Sequence, residues 1–189
     1  MNRAALLGSL FLALGPVAAF ADMSYSNVEL KYLDLSLSDS VANVNGDGFA
    51  LSGSYELNSK VFLLGEWQDQ SYDFGIDGRQ YEVGAGFHHA INSTLDFVGT
   101  LSYIDSRVDA GSVSASDDAF AIGGGVRTRI GKAFELDASL KYVDFDNSGS
   151  DTGLSAGGRW YFKKSMALSF GVDSTDNADV WHVGFRAEF

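Results

Sequence analysis

The stretch that decides the fold class is FAIGGGVRTRIGKAFELDASLKY, residues 120–142. Apolar residues, glycine and one threonine occupy every second position from Phe120 to Ile130, and apolar residues do so again from Phe134 to Tyr142. All the charged residues of these two runs fall on the alternate positions: Arg127, Arg129, Glu135, Asp137 and Lys141. A period of two predicts β-strands, and the three residues 131–133 between the runs predict a tight turn. The stretch therefore predicts an antiparallel hairpin with one apolar face and one charged face.

The same alternation recurs along the rest of the chain after residue 21 and predicts ten strands of roughly the 9–11 residues that a tilted membrane strand needs. The first strand changes phase at Leu33, where the apolar positions continue as Leu35 and Leu37. We interpret this change as a β-bulge or a strand end. The ten runs lie near 28–37, 48–57, 61–68, 79–88, 94–103, 120–130, 134–142, 154–162, 166–172 and 181–189.

The connections alternate between short and long, which indicates an up-and-down antiparallel meander. The short turns are 58–60, 91–93, 131–133 and 163–165. The longer polar loops are expected near 38–47, 69–78, 105–118, 144–152 and 173–179.

The charged face carries nearly balanced charge although the whole chain has a formal net charge of -12. A narrow and poorly solvated interior requires such a balance, because an unpaired charge there is costly. The aromatic residues of the apolar face gather near both strand ends, as at the two interfaces of a membrane. We therefore predict an all-β transmembrane barrel over residues 22–189, with ten strands and eight as the alternative. Its lumen charge network comprises Glu56, Glu66, Glu82, Asp96, Arg127, Arg129, Glu135, Asp137, Lys141, Arg159, Arg186 and Glu188.

The first 21 residues have the layout of a secretory signal peptide. Arg3 precedes an apolar run from Ala4 to Ala19, and small residues stand at the -3 and -1 positions of a cut after Ala21. The run is shorter than the roughly 20 residues of a spanning helix, so we predict cleavage rather than a membrane anchor.

The chain ends in an alternating strand that closes on a phenylalanine: Trp181, Val183, Phe185 and Phe189 carry its aromatic and apolar pattern. This ending resembles that of the small bacterial outer-membrane barrels, the group of the OmpA barrel domain and OmpX. The resemblance implies that these four residues are the signal read by the barrel assembly machinery, with periplasmic chaperones as further partners during biogenesis. It also implies a location in the outer membrane, in contact with its lipid and lipopolysaccharide. The best known members have eight strands, whereas ten are counted here.

Several classes of function are excluded or disfavoured by composition. The chain has no cysteine, so it has neither disulfides nor a cysteine-based metal site. Its acidity argues against nucleic acid as a partner, and no motif predicts a cofactor. The sixteen aspartates of the long loops have two interpretations: they keep the loops soluble, which we favour, or they bind divalent cations beside lipopolysaccharide. The best local metal candidate is a D-x-D-x-S-G run without its closing glutamate, formed by Asp144, Asp146, Ser148 and Asp151.

The expected function is that of a non-enzymatic outer-membrane protein with a structural or surface-interaction role. The alternative is a narrow, porin-like solute channel, and the third class is an outer-membrane hydrolase. His88 and His182 are predicted to face the lumen and His89 to cap a strand. No nucleophile and base can be assigned beside them, so no catalytic residue is predicted.

Overall fold

The computed structural model describes residues 23–38, 43–175 and 178–189. The predicted signal peptide and its cleavage after Ala21 lie outside the described residues. The described part of the chain contains no helix that is long and apolar enough to cross a membrane. Its strands are β1 (Asn27–Ser38), β2 (Asn43–Asn58), β3 (Val61–Tyr72), β4 (Ile76–Ala90), β5 (Leu95–Ala110), β6 (Val113–Ile130), β7 (Phe134–Phe145), β8 (Gly149–Lys163), β9 (Met166–Ser174) and β10 (Ala178–Glu188).

The ten strands form one closed antiparallel barrel in which each strand pairs with its neighbours in sequence. The closing seam joins β1 to β10, with Asn27 opposite Glu188 and Leu37 opposite Ala178. Closure leaves no sheet edge to be satisfied by the surroundings. The up-and-down barrel and the count of ten strands are therefore confirmed, and the alternative of eight strands is wrong.

The outer face of the barrel is apolar. Leu101 is 61 % exposed and Val83 is 60 % exposed, both near the middle of their strands. Both predicted groups of aromatic residues lie on this face, and several pack against each other, as Tyr32 does with Phe49 at a ring-centroid distance of 5.5 Å. An apolar surface between two aromatic belts is the arrangement by which a β-barrel meets hydrocarbon.

The long loops were predicted with the wrong bounds, because the strands continue through most of their residues. Strand β5 runs to Ala110 and pairs with β6 from Val113 onward, so the segment expected as a loop at 105–118 is a protruding hairpin. Its backbone ladder continues beyond the aromatic belt, where water can reach both faces of the hairpin. With water on both faces, polar and apolar residues no longer need to alternate. The strand therefore continues although the alternating sequence pattern ends.

The change of phase in β1 is neither a bulge nor a strand end. Strand β1 pairs with β2 without a shift from Asn27 to Ser38. Leu33 and Leu35 keep the inward phase of Glu29 and Lys31, and are buried in a small apolar cluster with Ala50. The inward face thus becomes apolar near the long-hairpin end, while Asp34 on the outward face is exposed. The register shifts that do occur lie beside two short turns, at Glu56/Asn58 and at Tyr161/Lys163.

Candidate functional site: the barrel lumen

Glu135 is the centre of a dense charge cluster at the short-turn end of the lumen. Its side chain is fully buried and accepts hydrogen bonds from Arg127 Nε at 2.5 Å, Arg159 Nη1 at 2.8 Å and Arg129 Nη2 at 3.3 Å. Strands β6, β7 and β8 lie side by side, which is why three arginines and one carboxylate meet there. A buried charge is tolerated only when it is paired and hydrogen-bonded in this way.

Other carboxylates complete the cluster. Arg159 Nη1 also binds Asp137 Oδ1 at 2.7 Å, and Arg186 Nη1 lies 3.3 Å from Glu29 Oε2 across the closing seam. Glu188 accepts from the Tyr161 hydroxyl at 2.5 Å. The result is a compact network of alternating charges that fills this side of the lumen.

Two lysines cross the middle of the lumen to reach their partners. Lys141 on β7 extends past β6 and β5 to Glu82 on β4, where Nζ lies 2.6 Å from Oε2. Lys31 on β1 reaches Glu66 on β3 at 2.5 Å. Gly123 stands opposite Lys141 in the β6–β7 register and adds no side chain to the lumen. Inward glycines thus leave space beside these long side chains.

The sequence predicts these side chains as one lumen charge network but does not assign its pairs. Three arginines of the lumen bind Glu135, and the fourth, Arg186, pairs with Glu29 and Glu188. Glu82 binds Lys141 and the hydroxyl of Ser102. Glu56 is the outlier of the predicted network, since its nearest ionisable neighbour is His88, with Nε2 3.9 Å from Glu56 Oε1. Residue type and facing can be predicted from periodicity, but partners depend on how far long side chains reach across the barrel.

The two inward histidines lie far apart in the lumen, each near one aspartate. His88 is partly buried in the lumen, with Nδ1 3.7 Å from Asp96 Oδ2, and His182 Nδ1 lies 3.5 Å from Asp173 Oδ2 near the opposite end. His89 belongs to β4, pairs with Phe97 and is exposed on the outer face close to the strand end.

The feature that sequence analysis missed is the segment before β1, residues 23–26, which runs inside the short-turn end of the barrel. Tyr25 is 4 % exposed. Its ring stacks on His88 at a centroid distance of 3.9 Å and on Phe62 at 5.0 Å, and its hydroxyl donates to Asp96 Oδ2 at 2.9 Å. The Arg127 guanidinium lies 4.7 Å from the same ring. An isolated tyrosine ahead of the first strand has no periodicity that could have predicted this position.

Above Tyr25 the lumen holds a cavity of about 620 Å³. Its wall carries hydroxyl, amide and charged groups in its lower and middle part, and it extends as far as Thr175 beside the β9–β10 connection. The lining includes both lysine–glutamate pairs and the glycines 123, 125, 157 and 158. The interior is therefore a chamber of mixed apolar side chains and paired charges with a densely packed floor.

The long-hairpin end is acidic. Asp34 stands directly opposite Asp47, and Asp105 directly opposite Asp118, in neighbouring strands. Asp117 accepts hydrogen bonds from Ser148 Oγ at 2.5 Å and from the Asn147 amide nitrogen at 3.1 Å, which tie the β5–β6 hairpin to the β7–β8 turn. The hydrogen bond from Ser148 and those from Asn147 hold the pKa of Asp117 below its usual range.

The weak metal candidate is not assembled. Ser148 is engaged by Asp117. Asp144 and Asp151 lie on opposite faces of the β7–β8 pair, since Asp151 is opposite the inward Val143. Among the residues that the structure describes, no group of three histidine, aspartate or glutamate side chains could hold a metal ion.

Comparison with known proteins identifies the architecture and not a family. No protein-family model matches the sequence, and no curated protein matches it. The fold is similar to that of an outer-membrane channel from Pseudomonas putida F1, with a TM-score of 0.55, 12% identity, and coverage of 93% of this chain and 100% of that chain.

Two further solved structures are also similar. The translocator domain of the autotransporter NalP from Neisseria meningitidis has a TM-score of 0.50 and 9% identity, over 89% of this chain and 90% of that chain. The attachment invasion locus protein Ail of Yersinia pestis has a TM-score of 0.45 and 19% identity, over 87% and 97% of the two chains. Together with the apolar outer face and the enclosed charges, the fold defines a small membrane-spanning β-barrel.

Proposed function

We propose that this chain is an integral outer-membrane protein with a structural or surface-interaction role, and that its lumen is closed in the resting state. In this proposal the chain belongs with the small outer-membrane barrels, the group of OmpX and the OmpA barrel domain. Export by the signal peptide at 1–21 and insertion by the barrel assembly machinery, with periplasmic chaperones, are part of the proposal. The short-turn end then faces the periplasm and the acidic hairpins face the exterior.

The observation that carries this proposal is the packed floor of the lumen. Tyr25, Phe62 and Tyr161 are 4 %, 6 % and 7 % exposed, and Arg127, Arg129 and Glu135 are 6 %, 9 % and 0 % exposed. Buried aromatic rings and a paired charge cluster occupy the cross-section where an open channel would have water. The charges of this floor are paired with each other, so the pairing does not depend on a ligand.

A surface role is supported by apolar side chains presented at the tips of the hairpins. Phe74 is 84 % exposed in the connection between β3 and β4, and Val113 is 68 % exposed at the tip of the β5–β6 hairpin. Phe74 also has a φ of 66°, a conformation that bulky residues rarely adopt. Apolar groups beyond the aromatic belt do not serve the lipid contact and are suited to a partner surface.

A narrow solute channel is the second candidate, and the cavity of about 620 Å³ favours it. The first experiment separates the two. Purified protein is folded in detergent, checked by the mobility shift between unheated and boiled samples, and added to a planar lipid bilayer. A closed barrel gives a folded species without discrete current steps. Steady steps from the wild-type protein would favour the channel and contradict the closed lumen.

Localisation and catalysis have their own tests. The full-length chain is expected in the outer-membrane fraction, with a mature N-terminus at Asp22, and a product that remains in the periplasmic fraction would contradict the proposal. Assays for proteolysis and for lipid A modification are expected to be negative. An active wild type that loses activity in His88→Ala or His182→Ala would establish the hydrolase instead.

A further inference from the structure

Residues 23–26 are held in a binding site on the inner wall of the barrel, here called the seat, to which five strands contribute side chains. Phe62 on β3, His88 on β4, Asp96 on β5 and Arg127 on β6 contact the Tyr25 side chain. Ser54 on β2 donates a hydrogen bond from Oγ to the Tyr25 carbonyl at 2.7 Å. A phenyl ring, an imidazole, a carboxylate and a guanidinium group therefore all contact the same tyrosine side chain.

The backbone of the segment is bound as well. Arg127 Nη1 donates to the Ser24 carbonyl at 2.8 Å, and the backbone nitrogen of Glu56 donates to Ser26 Oγ at 3.0 Å. These bonds satisfy polar groups of the segment that would otherwise be buried without partners. The segment is bound by the barrel in the manner of a peptide ligand, and it is not a member of the sheet.

The seat is shaped by the wall itself. Phe62 lies flat over Gly86, where an added Cβ would come within 2.1 Å of the phenylalanine Cζ. Only glycine at this position allows the ring to lie against β4 beneath Tyr25. Phe62 and Tyr25 therefore fill the lumen floor beside strands β2 to β5. The arginine cluster fills the floor beside β6 to β10.

The cavity begins directly above this seat, since Tyr25, Phe62 and Arg127 belong to its lining. Near its opposite end the cavity is lined by Asp151 and Asp173. The hairpins around this end carry more aspartates than arginines. An acidic entrance above a low-dielectric wall concentrates cations and repels anions. The chamber therefore has a wall of mixed apolar and charged side chains, a cation-attracting entrance and a floor that is partly made of residues 23–26, which precede β1 in the same chain.

We propose that residues 23–26 are a removable plug and that the lumen is a gated pathway for small cations, opened when Tyr25 leaves its seat. This inference goes beyond the closed structural role proposed above, because it assigns a latent transport activity to the same barrel. Tyr25 is the positioning residue of the plug, and Ser54 and Asp96 are its anchors in the wall.

The test compares single-channel currents of four proteins in planar bilayers, each first shown to be folded by its heat-dependent gel mobility. Tyr25→Ala removes the ring and its hydroxyl, and Tyr25→Phe removes only the hydrogen bond to Asp96. Tyr55→Ala is the matched control, because Tyr55 is 57 % exposed on the outer face near the same end of the barrel. The wild type and Tyr55→Ala are expected to be silent, Tyr25→Ala to give sustained steps, and Tyr25→Phe to give brief openings.

The ion preference is read from the same membranes. In a tenfold KCl gradient the reversal potential of Tyr25→Ala should have the sign of a potassium-selective pathway, and the opposite sign would refute the cation assignment. Folded but silent Tyr25→Ala would overturn the plug while leaving the closed barrel intact. Sustained steps in the wild type would instead overturn the closed barrel itself.

A second variant keeps the proposal open to refutation if Tyr25→Ala fails to fold. Ser54→Ala removes the hydrogen bond to the Tyr25 carbonyl and the one that Asn27 Nδ2 donates to Ser54 Oγ, and it leaves the Tyr25 ring and the lumen charges in place. It should give brief openings, which the wild type lacks. An opening frequency equal to that of the wild type would contradict the role of this anchor and the plug with it.

Discussion

Replacing Glu135 by glutamine tests the physical basis of the closed lumen. The substitution keeps the shape of the side chain and removes its charge. In the wild-type barrel this carboxylate accepts hydrogen bonds from Arg127, Arg129 and Arg159, at 2.5 to 3.3 Å, in a fully buried position. The glutamine retains one acceptor oxygen, and its amide group turns donor hydrogens towards guanidinium groups that are themselves donors.

The expected cost follows from the number of broken contacts. A hydrogen bond to a charged group contributes roughly 1.5–3 kcal/mol, and removing one partner of a buried charge cluster costs roughly 3–5 kcal/mol because the other charges stay buried. We therefore expect Glu135→Gln to lower the free energy of unfolding by about 3–5 kcal/mol, at the upper part of that range because three guanidinium groups lose one anion.

The assay is urea-induced unfolding of the barrel in lipid vesicles, followed by tryptophan fluorescence and by the loss of gel-mobility difference. The matched control is Glu56→Gln at the same end of the lumen, where the nearest ionisable side chain is His88 at 3.9 Å. The control should lose no more than about 1 kcal/mol, the net worth of a weak pair. A Glu135→Gln variant as stable as the control would refute the claim that paired charges hold the lumen floor together.

Three further predictions address the outer face, the seat of the plug and assembly. Val83→Arg at mid-strand on the outer face should cost roughly 2–4 kcal/mol of unfolding free energy in vesicles, whereas Val113→Arg at the hairpin tip should cost almost nothing, and equal effects would contradict the assigned lipid face. Gly86→Ala should lose about 1–3 kcal/mol by overpacking against Phe62; the loss should vanish in a Phe62→Ala background and be absent in Gly124→Ala, whose added Cβ meets no atom within 4 Å. Deletion of Phe189 should lower the amount of folded protein recovered from the outer membrane, because the terminal aromatic residue is the proposed assembly signal, and normal recovery of the shortened chain would refute that role.

Much of the architecture follows from the two-residue period. One face of each strand meets hydrocarbon and the other meets the lumen, so successive residues must differ in polarity. Residues such as Val83 and Leu101 must face hydrocarbon, and Glu82 and Arg127 must face the enclosed lumen. That contrast holds only within the aromatic belts. Beyond them the chain from Asp105 to Ala110 pairs in a regular ladder without an apolar face, so its strand was not predictable from periodicity.

The types of residue that face the lumen could be predicted from the sequence, but the pairs that they form could not. Alternation places Lys141 and Glu82 on the inward face, but their pairing across two intervening strands depends on side-chain length and on glycine at 123. Likewise, Tyr25 belongs to a short segment without a period, and its position depends on the space above Gly86 that Phe62 shares. Which side chains pair across the barrel depends on their length and on the distance between strands. The alternating sequence pattern carries no information about these distances.

The central claim, that the apolar face meets hydrocarbon and the charged face encloses the lumen, is tested most directly by a nitroxide scan along β5. The chain has no cysteine, so single cysteines at positions 97 to 103 can each be spin-labelled in vesicles and compared in oxygen and in a water-soluble nickel complex. Labels at 97, 99, 101 and 103 should be accessible to oxygen and protected from nickel, with the opposite at 98, 100 and 102. Equal accessibility at all seven positions, or the opposite phase with Leu101 shielded from oxygen, would contradict the account.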